Sequence, residues 1–175
     1  MTSFENTKKN SEFVWASTFV NQINKDQGTN YRVIPELGEN SPVDMHLVCE
    51  SCSHQHLDLQ LTHAVEVPFI ALQAHTGEDY SKHPTIEAID RKTEKLTQQK
   101  ADLKKIILLV QGYMNPTLAS EVFTDKSFDK YKQSDFAGIY YVAPPMISGE
   151  TDEFVQDGLV VPIKNYFSSH HSATI

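Results

Sequence analysis

Val43-Asp44-Met45-His46-Leu47-Val48 and Leu57-Asp58-Leu59-Gln60-Leu61-Thr62 are the two stretches whose reading decides the fold of this chain. In the first, Val43, Met45 and Leu47 alternate with Asp44, His46 and Val48; in the second, Leu57, Leu59 and Leu61 alternate with Asp58, Gln60 and Thr62. Side chains two apart on a strand share a face, so each stretch predicts a strand with one apolar face to bury. The connection Glu50-Ser51-Cys52-Ser53-His54-Gln55 is short and polar, as the tip of a hairpin requires.

Working outward, Phe13, Trp15, Ala16, Phe19, Val20 and Ile23 recur at helical spacing over 11–25, and Gly28 supplies a stop. Residues 31–34 read as a short strand closed by Pro35, and the apolar stretch 65–72, interrupted by Pro68, reads as a sheet edge or bulge. Pro84 then introduces a long helix over 85–104, striped by Ile86, Ile89 and Leu96. Ile106-Ile107-Leu108-Leu109-Val110 reads as a fully buried strand, 116–123 as a short helix, and 136–142 and 159–163 as further strands. This order predicts an α/β or α+β fold: a mixed central sheet whose hairpin carries an acidic site, flanked by helices. No repeat or long linker divides the 175 residues, so a single domain is expected, frayed over 1–10 and 167–175.

With 39% apolar and 22% charged residues the chain has enough apolar surface for one core. Its longest apolar run is far too short to cross a bilayer, and residues 1–10 lack the apolar centre of a signal peptide. Cys49 and Cys52 are too few and too close for a secreted disulfide framework, so the expected compartment is the reducing cytoplasm, with no membrane association. The net charge of −8 argues against tight non-specific nucleic-acid binding, yet it is unevenly spread. Residues 81–105 carry 7 basic and 4 acidic side chains and form the only net-basic segment; it is either a path for a phosphate backbone or a solvated helix face.

Asp58 and Gln60 project from one strand face, and a hairpin that sets Asp44 near Asp58 gathers two carboxylates and an amide. Such an oxygen-rich site suits Mg²⁺ or Mn²⁺, which generates a hydroxide and stabilises charge on a phosphodiester. The plainer alternative is the solvent face of a hairpin. His46 shares the face of Asp44 and borders the same place.

The leading helix, Ser41-Pro42-Val43-Asp44 opening a strand, the hairpin, Leu57-Asp58-Leu59-Gln60-Leu61, the Lys-rich helix and the buried strand over 106–110 together resemble the PD-(D/E)XK nuclease superfamily, with its restriction-endonuclease-like fold. The resemblance implies that Asp44 and Asp58 bind the metal and that Gln60 occupies the position of the lysine that positions or activates the attacking water. It further implies that Glu12 on the first helix is an additional acid and that Lys92 or Lys95 supplies the lysine from the following helix. Val43 separates the proline from the aspartate, and Gln60 lacks the lysine's charge. The activity implied is Mg²⁺-dependent endonuclease cleavage of a nucleic acid, DNA in the first instance, by a monomer or homodimer. The alternative is a catalytically silent member of the fold that binds or regulates.

Cys49-Glu50-Ser51-Cys52-Ser53-His54-Gln55-His56 offers four zinc-type donors, but zinc sites draw their second ligand pair from a distant element and His54 and His56 lie too close. Two free thiols at a hairpin tip are expected instead of a zinc site. Tyr140, Tyr141, Tyr166 and Phe167 are read as packing residues rather than as platforms for stacked bases.

Overall fold

In the computed structural model, residues 3–36, 41–52, 56–64, 83–114, 116–147, 154–156 and 158–167 are described. The strand expected over 65–72 lies outside them, as does His54.

The chain is a mixed α+β protein. Strands β1 (Arg32–Pro35), β2 (Met45–Val48), β3 (His56–His63), β4 (Ile106–Gln111), β5 (Gly138–Ala143) and β8 (Leu159–Lys164) form one sheet in the order β1-β2-β3-β4-β5-β8. Strands β6 (Met146–Ile147) and β7 (Phe154–Gln156) form a separate antiparallel pair. The sheet is antiparallel from β1 to β3, parallel from β3 through β4 to β5, and antiparallel again at β8. The parallel pairs need crossovers, and these carry helix α2 (Pro84–Gln98) and helices α3 (Pro116–Thr124) and α4 (Asp129–Lys132).

Alternation along the strands divides the core in two. Met45, Leu47, Leu57, Leu59, Leu61, Ile107, Leu109, Tyr140 and Val142 pack with Trp15, Ala16, Phe19, Val20 and Ile23 of helix α1 (Ser3–Gln27). Ile106, Leu108, Val110, Ile139 and Tyr141, one residue out of phase, pack against α2, α3 and α4 on the opposite face. All six residues of β4 are buried, as its unbroken apolar run predicts for a strand between two parallel neighbours. Tyr140, Tyr141 and Phe167 are core residues, so the described chain is packed through Phe167, inside the tail expected to fray.

Helix α1 starts at Ser3, inside the N-terminal stretch expected to fray, and Phe13 stays exposed although its spacing fits the stripe. The helix ends at Gly28, whose φ of 63° is the left-handed stop that glycine adopts without steric cost. Asn24 then ties the helix to β1: its Oδ1 accepts from Tyr31 N at 2.8 Å and its Nδ2 donates to Tyr31 O at 3.0 Å. Among the described residues no helix is long and apolar enough to cross a membrane.

Helix α2 ends at Gln98, short of the expected 104, because the chain must reverse before the buried run that starts at Ile106. Lys100 takes the left-handed conformation at φ 57°, Ala101 N closes on Leu96 O at 3.0 Å, and a 3-10 turn, Leu103–Lys105, leads into β4. A lysine there bears a left-handed cost of roughly 1–2 kcal/mol that glycine escapes, offset in part by glycine's greater freedom in the unfolded chain. Lys100→Gly should therefore stabilise the protein by roughly 0.5–1 kcal/mol. Urea unfolding checks this, and a variant no more stable than Lys100→Ala would contradict the left-handed stop.

Candidate functional site on the β2–β3 hairpin

The apolar layer beneath α2 stops at β3. Asp58, Gln60 and Thr62 pair with Ile106, Leu108 and Val110 of β4 and share their face, so the hairpin continues that face with polar side chains. In the β2–β3 register His46 lies opposite Asp58, and Val48 opposite His56. Two groups of contacts result.

The first gathers at the start of β2. Ser41 Oγ accepts from Val43 N at 3.1 Å, which turns the chain into the strand. Asp44 N donates to Leu59 O at 3.0 Å and Asp44 Oδ2 accepts from Leu61 N at 2.7 Å, so main chain and side chain together extend the pairing with β3. The Gln60 Nε2 donates to the same Oδ2. Lys92, on α2, brings its Nζ to 3.9 Å from that oxygen, with its side chain 14% exposed against 31% for Asp44. Carboxylate, amide and cation thus meet from three separate elements. Gln60 is buried, so it does not belong to a solvent face.

The second group lies two residue pairs further along the hairpin, past Met45 and Leu59, on the same face. Asp58 Oδ1 is 2.9 Å from His46 Nδ1 and 3.0 Å from His56 Nε2, and the two ring nitrogens are 3.0 Å apart. On the other side of the His46 ring, Nε2 lies 2.8 Å from Glu36 Oε2. Asp58 and His46 are mostly covered while His56 is open to solvent. His46, His56 and Asp58 therefore form a cluster able to hold a metal ion.

Compared with the sequence-based expectation, Asp58 does not join Asp44 and Gln60; Asp44 stands across from Gln60, and Asp58 turns to two histidines. That change follows from register, since partners directly opposite come closest. Glu12 is carried by α1, which packs across the sheet from the face of Asp58 and Gln60. Lys92 is the lysine that reaches the site; Lys95 is exposed. Sequence reasoning missed His56 and Glu36 as members, although His56 lies two before Asp58 and so belongs to the same strand face.

The cysteines differ too. Cys49 and Cys52 form a disulfide across a Cα separation of 5.4 Å rather than two free thiols, because the turn brings them within bridging range. Cys49 is buried against the α1 side, whereas His56 faces His46 across the sheet's other face.

Burial pulls the His46 pKa down, but its hydrogen bonds to Glu36 and Asp58 and their charges outweigh that, and the net shift is upward. The folded protein then holds the proton more tightly than the unfolded chain. The resulting stabilisation is complete below the ordinary value of about 6.5 and is lost as pH rises through the raised midpoint. NMR titration of metal-free protein should place the His46 midpoint above about 6.5, with Glu36→Gln lowering it. A midpoint at or below the ordinary value would contradict this arrangement.

No protein-family model, curated protein or solved structure matches the chain, so it is the fold and the two groups on the hairpin that point toward a function.

Proposed function

We propose that the protein is a divalent-metal-dependent nuclease-like hydrolase acting on nucleic-acid phosphodiesters, DNA in the first instance, and related to the PD-(D/E)XK superfamily. The observation that carries the reading is Lys92 Nζ at 3.9 Å from the Asp44 carboxylate, across from Gln60. A charged amine from the helix after the hairpin makes up for the amide that stands in the strand's lysine position.

Asp44 is the carboxylate offered to the ion, since Asp58, the second acid of the resemblance, is turned to His46 and His56. The described contacts of Asp44 fall on Oδ2, and with 31% of the side chain exposed a further ligand can approach it. A divalent ion held there would supply a hydroxide at neutral pH and stabilise charge on the phosphodiester. Gln60 holds Asp44 in place and orients water through its amide. Lys92 offsets negative charge gathering on the phosphoryl oxygens, a role worth roughly a hundredfold or more in rate for a preorganised donor. The exposed Arg91, Lys95, Lys100, Lys104 and Lys105 lie on or just beyond the same helix, where a phosphate backbone would run.

One observation favours a second reading, a silent member of the fold that binds without cleaving: the Gln60 amide is already engaged by Asp44.

Cleavage of plasmid, linear and single-stranded DNA with Mg²⁺ or Mn²⁺ tests the proposal. Asp44→Asn should abolish cleavage, and Lys92→Met should slow it by roughly a hundredfold, both with unchanged thermal unfolding. Equal rates in Asp44→Asn and wild type would overturn the assignment. Binding of DNA by a wild type that cuts no substrate would favour the silent reading.

A further inference from the structure

The hairpin holds a donor set that an oxygen-only metal site does not need. His46 Nδ1, His56 Nε2 and Asp58 Oδ1 form a near-equilateral triangle with sides of 2.9, 3.0 and 3.0 Å. Carboxylates flank both ring nitrogens of His46, Asp58 at Nδ1 and Glu36 at Nε2, and both only accept. With its single proton on Nε2, donated to Glu36 Oε2 at 2.8 Å, the neutral ring carries a lone pair on Nδ1. That lone pair faces a carboxylate oxygen and another imidazole nitrogen. Electron pairs at such separations repel unless a cation sits among them, either a proton or a metal ion. Glu36 then matches the outer carboxylate that orients a metal-bound histidine and raises its basicity.

We propose that His46, His56 and Asp58 form a site for a divalent first-row transition ion of the Zn²⁺ type, bound through His46 Nδ1, His56 Nε2 and Asp58 Oδ1, with Glu36 as the outer-shell partner of His46. Imidazole nitrogens select such ions over Mg²⁺ and Ca²⁺, which prefer all-oxygen surroundings. The spacing suits the size of the ion. At bonds of about 2.05 Å to each donor, an ion would stand roughly 1.1 Å above the triangle, with little movement of the ligands. All three ligands come from facing strands of one hairpin, His46 directly opposite Asp58, so the pairing register holds them without any loop. Three protein ligands leave a coordination position open toward solvent on the side of the exposed His56.

The site is separate from Asp44, the carboxylate of the proposed hydrolase, and it does not rest on that activity. It also differs from the Cys49 and Cys52 arrangement, whose sulfurs are bonded to each other.

Calorimetry on the full chain, stripped with chelator and dialysed, tests the inference with Zn²⁺ and Mg²⁺ as probes. One equivalent of Zn²⁺ should bind, with Mg²⁺ at least a hundredfold weaker, on the order expected for nitrogen donors. His46→Ala and His56→Ala should each weaken Zn²⁺ by roughly a hundredfold or more, and Glu36→Gln by about 10–100-fold. Because His56 is exposed, its variant tests the site without threatening the fold. The double variant Cys49→Ser/Cys52→Ser should bind as wild type does. Zn²⁺ affinity unchanged in both histidine variants would overturn the site, as would binding lost in the cysteine variant but kept in His46→Ala. Zn²⁺ binding with no DNA cleavage sinks the hydrolase reading alone; cleavage without Zn²⁺ binding sinks this one alone.

Discussion

Strand β3 is the constraint on which the rest depends. It pairs antiparallel with β2 and parallel with β4, so it joins the hairpin half of the sheet to the crossover half. Its two faces have opposite duties. Leu57, Leu59 and Leu61 are buried against α1, while Asp58, Gln60 and Thr62 point the other way. A slip of one residue would drive Asp58 and Gln60 into the α1 core and expose three leucines, so the hydrophobic pattern pins the register strongly. Since the register also decides which side chains meet across the hairpin, the apolar face sets the geometry of the polar one.

The polar face survives because α2 covers it incompletely. The helix buries Ile86, Ala88, Ile89 and Leu96 against β4 and its neighbours, and leans over β3 through its polar side. Arg91 donates to His63 O at 3.2 Å, and Lys92 reaches Asp44. Filling the Gln60 position with an apolar residue would leave Asp44 with one partner fewer in a partly covered place. Buried polar groups persist where each has a partner, and the contacts of Asp44 Oδ2 with Leu61 N, Gln60 Nε2 and Lys92 Nζ fit that pattern.

Much of this was legible in the sequence, and the exceptions have physical causes. Period-two alternation gave β2 and β3, and the run from Ile106 to Val110 gave the buried centre, because burial leaves its mark on every second residue or on all of them. Lys92 was legible as a cation on the helix after the hairpin. What periodicity does not carry is registration between strands: it shows which residues share a face, not which stand opposite. Hence Asp44 was expected beside Asp58 and is found across from Gln60, and His56 went unnoticed beside Asp58. Glu36 was invisible for another reason, since it joins His46 only after β1 folds back on β2. The early end of α2 likewise reflects tertiary need, for Lys100 is no stop signal on its own.

The two groups on the hairpin also constrain one another chemically. Asp44 accepts at Oδ2 from an amide and a main-chain N–H and stands 3.9 Å from an ammonium, with no imidazole among these contacts. Asp58, two pairs along, has two imidazoles for company. Neighbouring carboxylates so differently surrounded are not equivalent: under the two proposals a hard ion would gain most at Asp44 and a nitrogen-seeking ion at Asp58. Because both aspartates are held by the pairing of β2 with β3, any shift in that register alters both preferences together. The chemistry of the hairpin is therefore tied to the packing of Leu57, Leu59 and Leu61 against α1 on the far side of the sheet.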